Sequence, residues 1–231
     1  MNACRSCAAA GAIAVVSLFG GVAQAAPATF FFNNTPYLSA GDIPAGFYAG
    51  GAPAVLSDLE NDLLDPTLSA SAGSIIGPGQ FDGLRDSVDV DDGALDGSGA
   101  AGHSWFSGDG ATGVTFTFVG AVLPTAFGIV WTDGGGAVTF SATDGNGNSL
   151  GSITPAAFAD GSSSGTTAED RFFGVTFDGG IKSVFIRNSS GGIELDHIQY
   201  GAMAAPVPVP AAGWLMLTGL VGLAARRRRI G

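Results

Sequence analysis

Cysteine, histidine and positive charge are all scarce in this sequence, and each scarcity excludes something. The two cysteines, Cys4 and Cys7, both lie within the first 25 residues. A mature chain without that segment has no thiol, which excludes a catalytic cysteine, a disulfide and Cys-ligated zinc. Both cysteines also precede the N-terminal apolar run instead of following it, the wrong place for lipid attachment through cysteine. The histidines are His103, beside Ser104, and His197, beside Asp196. No nucleophile elbow or metal-histidine motif organises them. Adjacent strand residues point to opposite faces, so Asp196 and His197 are not expected to act as a pair. All twenty acidic residues fall between Asp42 and Asp196, against Arg85, Arg171, Lys182 and Arg187, a net of −16. Such a surface repels nucleic acid and anionic lipid and suits cations, of which calcium is the abundant hard one outside the cell.

Long apolar runs occur only at the two ends. Residues 1–25 carry one positive charge, Arg5, then an uncharged stretch closing on Ala23-Gln24-Ala25. This pattern reads as a secretory signal cut by signal peptidase after Ala25; Gly11, Gly20 and Gly21 and the lack of a stop-transfer cluster weigh against a permanent span. At the other end, residues 206–231 run through Val207, Pro208, Val209, Pro210 and Ala211 into an apolar stretch to Ala225, ended by Arg226, Arg227, Arg228 and Arg229. Pro210 suits a helix start. The arginines resist translocation, which leaves them cytoplasmic and the main domain outside, held initially in the inner membrane by the C-terminal helix. The apolar part is shorter than the roughly 20 residues of a full span.

This tripartite end resembles the PEP-CTERM sorting signal, closest to its VPLPA variant, with Val209 where the variant has Leu. The resemblance implies recognition, and cutting, by an exosortase-type transpeptidase of the cell envelope. An ordinary tail anchor is the alternative.

Residues 26–205 are long enough for one secreted domain with its own core. Val114 to Val119, Phe127 to Trp131, Ala137 to Ala142, Ser149 to Thr154, Arg171 to Phe177, Ile181 to Arg187 and Ile193 to Tyr200 read as short strands closed by turn residues. Asp144-Gly145-Asn146-Gly147-Asn148 is the clearest turn. Ala54 to Leu64 shows helical leucine spacing at Leu56, Leu59, Leu63 and Leu64, although a strand fits it as well. The expected fold is all-β: a two-sheet jelly-roll sandwich of about eight strands, with the last strand beside Thr29 to Phe32. Phe116, Phe118, Phe140, Phe173, Phe177 and Phe185 read as core, and Trp105, Trp131 and Tyr48 as packing or a sugar-stacking surface. Ser87 to Gly93, followed by Ser104-Trp105-Phe106 and the VTFTFV strand, resembles the galactose-binding, discoidin-like sandwiches, with Val90 where that family usually has Gly.

The densest polar feature is Asp82, Asp86, Asp89, Asp91, Asp92 and Asp96, interleaved with Gly83, Gly93 and Gly97. Calcium takes about six to eight oxygens, and such a loop offers carboxylates beside turned-in carbonyls. It lacks the glycine and distal glutamate of an EF-hand. Alternation places Glu194 and Asp196 on one face with Ile198. The expected ligands are therefore Asp89, Asp91, Asp92, Asp96, Glu194, Asp196 and Glu60, against the alternative of a solvated acidic loop. The resulting expectation is an exported, non-catalytic envelope or matrix protein, calcium-stabilised, that binds exopolysaccharide through residues the sequence does not identify. Its rivals are a secreted carbohydrate-active enzyme with paired carboxylates and a self-associating structural surface protein.

Overall fold

The computed structural model describes residues 26–80, 85–158 and 164–205. The signal segment and the Pro-rich tail lie outside the described residues, so their readings stand as expectations.

Among the described residues twelve strands build two antiparallel sheets. In chain order they are β1 (Thr29–Phe32), β2 (Val55–Ser57), β3 (Leu68–Ala70), β4 (Ser74–Ile76), β5 (Ser104–Ser107), β6 (Val114–Phe118), β7 (Ala126–Asp133), β8 (Val138–Asp144), β9 (Ser149–Ile153), β10 (Arg171–Thr176), β11 (Ile181–Asn188) and β12 (Ile193–Gly201). The large sheet runs β1-β10-β7-β12-β5-β4, with β2 added on β12, and the small one runs β3-β6-β11-β8-β9. The all-β sandwich expected from the sequence is thus present, with a jelly-roll arrangement fitting it. The strand count is higher because β2, β3 and β4 have three residues each, too few for alternation to show.

The core lies between the sheets and includes Phe116, Phe118, Phe127, Ile129, Trp131, Phe140, Phe173, Leu195 and Ile198. Strand β6 alternates inward Val114, Phe116 and Phe118 with outward Thr115 and Thr117. By contrast every residue of β7 and β10 is buried. The cause is a loop layer, residues 33–52 and 85–103, that covers the outer face of the large sheet. Its Tyr37, Phe47, Tyr48 and Val88 pack on Ala126, Val130 and Phe172 of the sheet, forming a second apolar cluster. Strands covered on both faces read as nearly continuous apolar runs. Gly128 and Gly174 are paired across β7 and β10. A Cβ on Gly174 would come within 2.7 Å of the Phe47 ring and 2.8 Å of the Phe172 ring, so these glycines make room for the aromatic layer.

Three sequence expectations are corrected. The last strand does not lie beside β1: β10 pairs with β1, and β12 sits on the far side of β7. Ala54 to Leu64 is no helix; β2 is followed by turns in which Leu59 has φ 64° and is fully buried while Leu63 is exposed. The chain needs a left-handed residue there to bring Leu59 back into the core, which helical spacing cannot provide. Phe185 is half-buried and points outward, because Val184 and Ile186 are the inward residues of β11.

Candidate functional site

Strand β12 carries the polar centre of the molecule. Ile193 and Leu195 enter the intersheet core, so Glu194 and Asp196 face the other way, under the loop layer. At His197 the backbone takes φ 43°, and the pairing with β7 slips between Asp196 and Gln199. This bulge adds a residue to the strand. Ile198 thereby returns to the core, while Glu194, Asp196, His197 and Gln199 all remain buried. Two expectations fall with it: Glu194 and Asp196 do not share a face with Ile198, and Asp196 and His197 are brought together instead of being parted.

Asp196, with no exposed surface, accepts hydrogen bonds from the Val88 N–H at 2.9 Å and the His197 N–H at 2.6 Å. Nδ1 of His197 lies 3.1 Å from the Tyr37 hydroxyl, to which Gln199 Nε2 also donates. Nε2 of His197 lies 2.9 Å from Asp91 Oδ2, yet neither atom makes an aligned hydrogen bond. Among the described residues, Asp91, Asp196 and His197 are the group whose ligand atoms all lie within 4.8 Å of one another.

Other carboxylates crowd this layer. Asp86, Asp89, Glu169, Asp170 and Glu194 are buried as well. Neither oxygen of Asp170 accepts a hydrogen bond. Burial, then the charges of Asp86, Asp196 and Glu169, hold its carboxyl well above the usual range, with Arg171 opposing. Asp196 is raised likewise, by burial and then by Asp91. Burial pushes Glu194 up to about 7, against the hydrogen bonds from Ser104 Oγ and the Asp86 N–H. The buried arginines direct N–H groups at carbonyls: Arg85 at Gly77, Gln80 and Ala100, and Arg171 at Ala168 and Asp170.

Of the seven ligands expected from the sequence, the structure brings Asp91 and Asp196 together and places the other five elsewhere. Asp89 braces its own loop, accepting from the Asp96 and Gly97 N–H groups. Asp92 and Asp96 cap the exposed turns at Ala94 and Ser98. Glu60 accepts from the His103 N–H at 2.5 Å and faces His103 Nδ1 at 2.9 Å. Glu194 accepts from Ser104 Oγ at 2.6 Å. Sequence reasoning missed His197, Tyr37 and Asp170. A signal for His197 existed: the core residues Ile193, Leu195, Ile198 and Tyr200 break period two once, and that break is the bulge.

Two carboxylates and an imidazole whose ligand atoms lie within 4.8 Å of one another can hold a cation. They cannot reach a polymer substrate, since His197 and Asp196 are 2% and 0% exposed. A groove of about 550 Å³ elsewhere, lined by Phe118, Val122, Leu123, Pro124 and Tyr200, contains no carboxylate. Trp131 and Tyr48 are buried, and Trp105 donates its indole N–H to the Ala72 carbonyl, so none of the three offers a free stacking face.

No family model matches the chain, and no curated protein does. Among solved structures it is similar to the enzymatically active domain of tailspike protein 4 from bacteriophage CBA120, at 15% identity and a TM-score of 0.32, over 64% of this chain and 21% of that one. The match therefore spans about a fifth of that domain's chain. It is also similar to the C-terminal family 22 carbohydrate-binding module of Clostridium thermocellum Xyn10B, at 14% identity and a TM-score of 0.26, over 71% of this chain and 98% of that one.

Proposed function

We propose that this chain is an exported, non-catalytic protein of the cell envelope or extracellular matrix, sorted by an exosortase-type pathway, whose sandwich is stabilised by a bound calcium ion and binds extracellular polysaccharide. The observation that carries this reading is the sealed carboxylate layer. Among the described residues seven carboxylates, those of Asp86, Asp89, Asp133, Glu169, Asp170, Glu194 and Asp196, are buried, with Arg85 and Arg171 as the buried permanent cations. Asp170 has no hydrogen bond on either oxygen. Burying a carboxylate that accepts no hydrogen bond is costly, and a divalent cation offsets that cost together with the repulsion that Asp170 and Asp196 receive from neighbouring carboxylates. Asp91 and Asp196 would hold the ion, joining the 85–103 loop to β12. The role is architectural: the cation would fasten the loop layer to the sheet.

His197 favours a second reading of the ion. Calcium takes oxygen ligands, whereas imidazole suits zinc and its neighbours. Elemental analysis of protein purified without chelators separates the two. One equivalent of calcium per chain is expected, lost in Asp196→Ala and in Asp91→Ala. One equivalent of zinc, lost in His197→Gln, would replace calcium by zinc, and no metal in either form would overturn the cation reading.

The sorting part rests on the tail sequence. Intact-mass measurement on protein from the native host is expected to show the chain ending near Pro210. Arg226 to Arg229 still attached to a membrane-bound protein would instead mark a simple tail anchor.

A further inference from the structure

Among the described residues the small sheet has one face covered by the core and one face bearing polar side chains. Its inner face supplies Val114, Phe116, Phe118, Val138, Phe140, Val184 and Ile186 to the core. On the outer face, alternation leaves hydroxyl residues in register across strands. One row pairs Ser69 with Thr117, Thr117 with Ser183, and Ser183 with Thr143. The next pairs Thr115 with Phe185, Phe185 with Ser141, and Ser141 with Ser152. Neighbouring hydroxyls already bond to one another, as Thr143 with Ser183 at 2.7 Å and Thr139 with Thr154 at 3.1 Å.

Two features set this face apart from the rest of a strongly acidic protein. The five strands contain a single acidic residue, Asp144, at the end of β8. Its carboxylate is held by the Asn146 and Asn148 N–H groups and by Asn148 Nδ2. In the middle of the rows lies Phe185. A Cβ on Gly113 would come within 2.6 Å of the edge of its ring, so the ring leans over the bare backbone of Gly113. A half-buried aromatic ring among hydroxyls offers apolar surface for a sugar ring to stack on.

We infer that this face binds a neutral polysaccharide chain laid across the strands, with a sugar ring on Phe185 and its hydroxyls exchanging hydrogen bonds with the serine and threonine rows. The inference rests on the polysaccharide-binding reading above and names its site. Each protein hydroxyl is both donor and acceptor, as each sugar hydroxyl is, so either orientation of a bond can be satisfied. Covering this face desolvates neutral groups, which costs far less than covering carboxylates. An acidic chain is disfavoured: the strands of this sheet carry two cations, the exposed Arg187 and the half-buried Lys182, whose ammonium donates to the Phe118 carbonyl, on a domain of net charge −16.

The test is affinity electrophoresis of the full chain in mild detergent through gels containing xylan, mixed-linkage β-glucan or alginate, with pull-down on cellulose. Retardation by at least one neutral polymer and none by alginate is expected. Phe185→Ala should weaken that binding at least tenfold. Thr117→Glu, which keeps the ring but places a charge in the row, should do the same. Leu95→Ser, on an exposed loop, serves as the surface control and should bind as wild type does. If wild type binds none of the neutral polymers, the polysaccharide-binding reading itself fails. If it binds them and both face variants bind equally well, the reading stands and this face is the wrong one. Retardation by alginate as strong as by xylan would overturn the neutral class. Concentration-dependent dimers abolished by Thr117→Glu would make the face a contact between copies instead.

Discussion

Acidification from about pH 8 to about pH 5 is expected to stabilise the cation-free protein, the reverse of ordinary acid denaturation. Glu194 is the source with a value attached. Burial beneath the loop layer, augmented by the charge of Asp133, pushes its carboxyl from 4.5 to about 7 despite hydrogen bonds from Ser104 and the Asp86 N–H. Between those values the folded state holds a proton that the unfolded state releases. The stabilisation is therefore present in full below about 4.5 and is lost as pH rises through about 7, on the order of 3 kcal/mol at roughly 1.4 kcal/mol per unit. Asp170 and Asp196 are raised in the same direction, by burial first and then by neighbouring carboxylates, and they add to the slope. The exposed turn carboxylates of Asp109 and Asp144 are lowered by their hydrogen bonds, so they act only below the usual carboxylate range and outside this window. Urea midpoints measured in chelator at pH 5, 6, 7 and 8 check the slope, and Glu194→Gln should flatten it. A protein that loses stability steadily from pH 8 to pH 5 in chelator would mean that the buried carboxylates are ionised in the native state without a cation.

The architecture was legible where strands have one covered face. In β6, VTFTF shows period two, and Val114, Phe116 and Phe118 occupy the core as that pattern requires. It was less legible where a second layer covers the sheet. The continuous burial of β7 and β10 is consistent with FGIVW and RFFGVT, but nothing local says that residues 33–52 and 85–103 supply the cover. Phe185 went wrong for the opposite reason. Composition ranks phenylalanine as core, whereas the parity of Val184 and Ile186 decides its direction, and that parity was readable.

The site was half legible. Asp91 and Asp196 were among the expected ligands, one from the acidic loop and one from the last strand, and the fold brings them together. Asp89, Asp92 and Asp96 share the composition of Asp91 but are drawn off by N–H groups two to eight residues along the chain. Local Asp-to-backbone bonds of this kind compete with ligation in any acidic glycine-rich loop. His197 was set aside by strict alternation, and the bulge that overrides alternation was visible only as a shift in the spacing of core residues. Asp170 had no local mark at all; its importance comes from three carboxylates remote or adjacent in sequence that fold around it.

Calcium is expected to raise the stability of the chelator-stripped protein at neutral pH. An ion that binds the folded state alone stabilises it by about 2.7 kcal/mol when free calcium is a hundredfold above Kd. For a domain of this length that corresponds to roughly 5 to 10 °C in melting temperature. Magnesium at equal ionic strength should do less, because it is smaller and holds its waters. That control is necessary, since any salt screens sixteen excess negative charges. Acid should weaken the effect, because protons compete for the same carboxylates. The variants divide by position. Asp91→Ala and Asp196→Ala remove the converging oxygens and should abolish the calcium-specific part of the shift. Asp178→Ala, in the turn between β10 and β11, should leave it intact. The melting temperature of the chelator-stripped protein, with calcium and with magnesium at matched ionic strength, is therefore the direct test. A calcium-specific rise of about 5 °C or more in wild type that is absent in Asp196→Ala is the expected result; equal shifts from both ions, unchanged by either substitution, would contradict it.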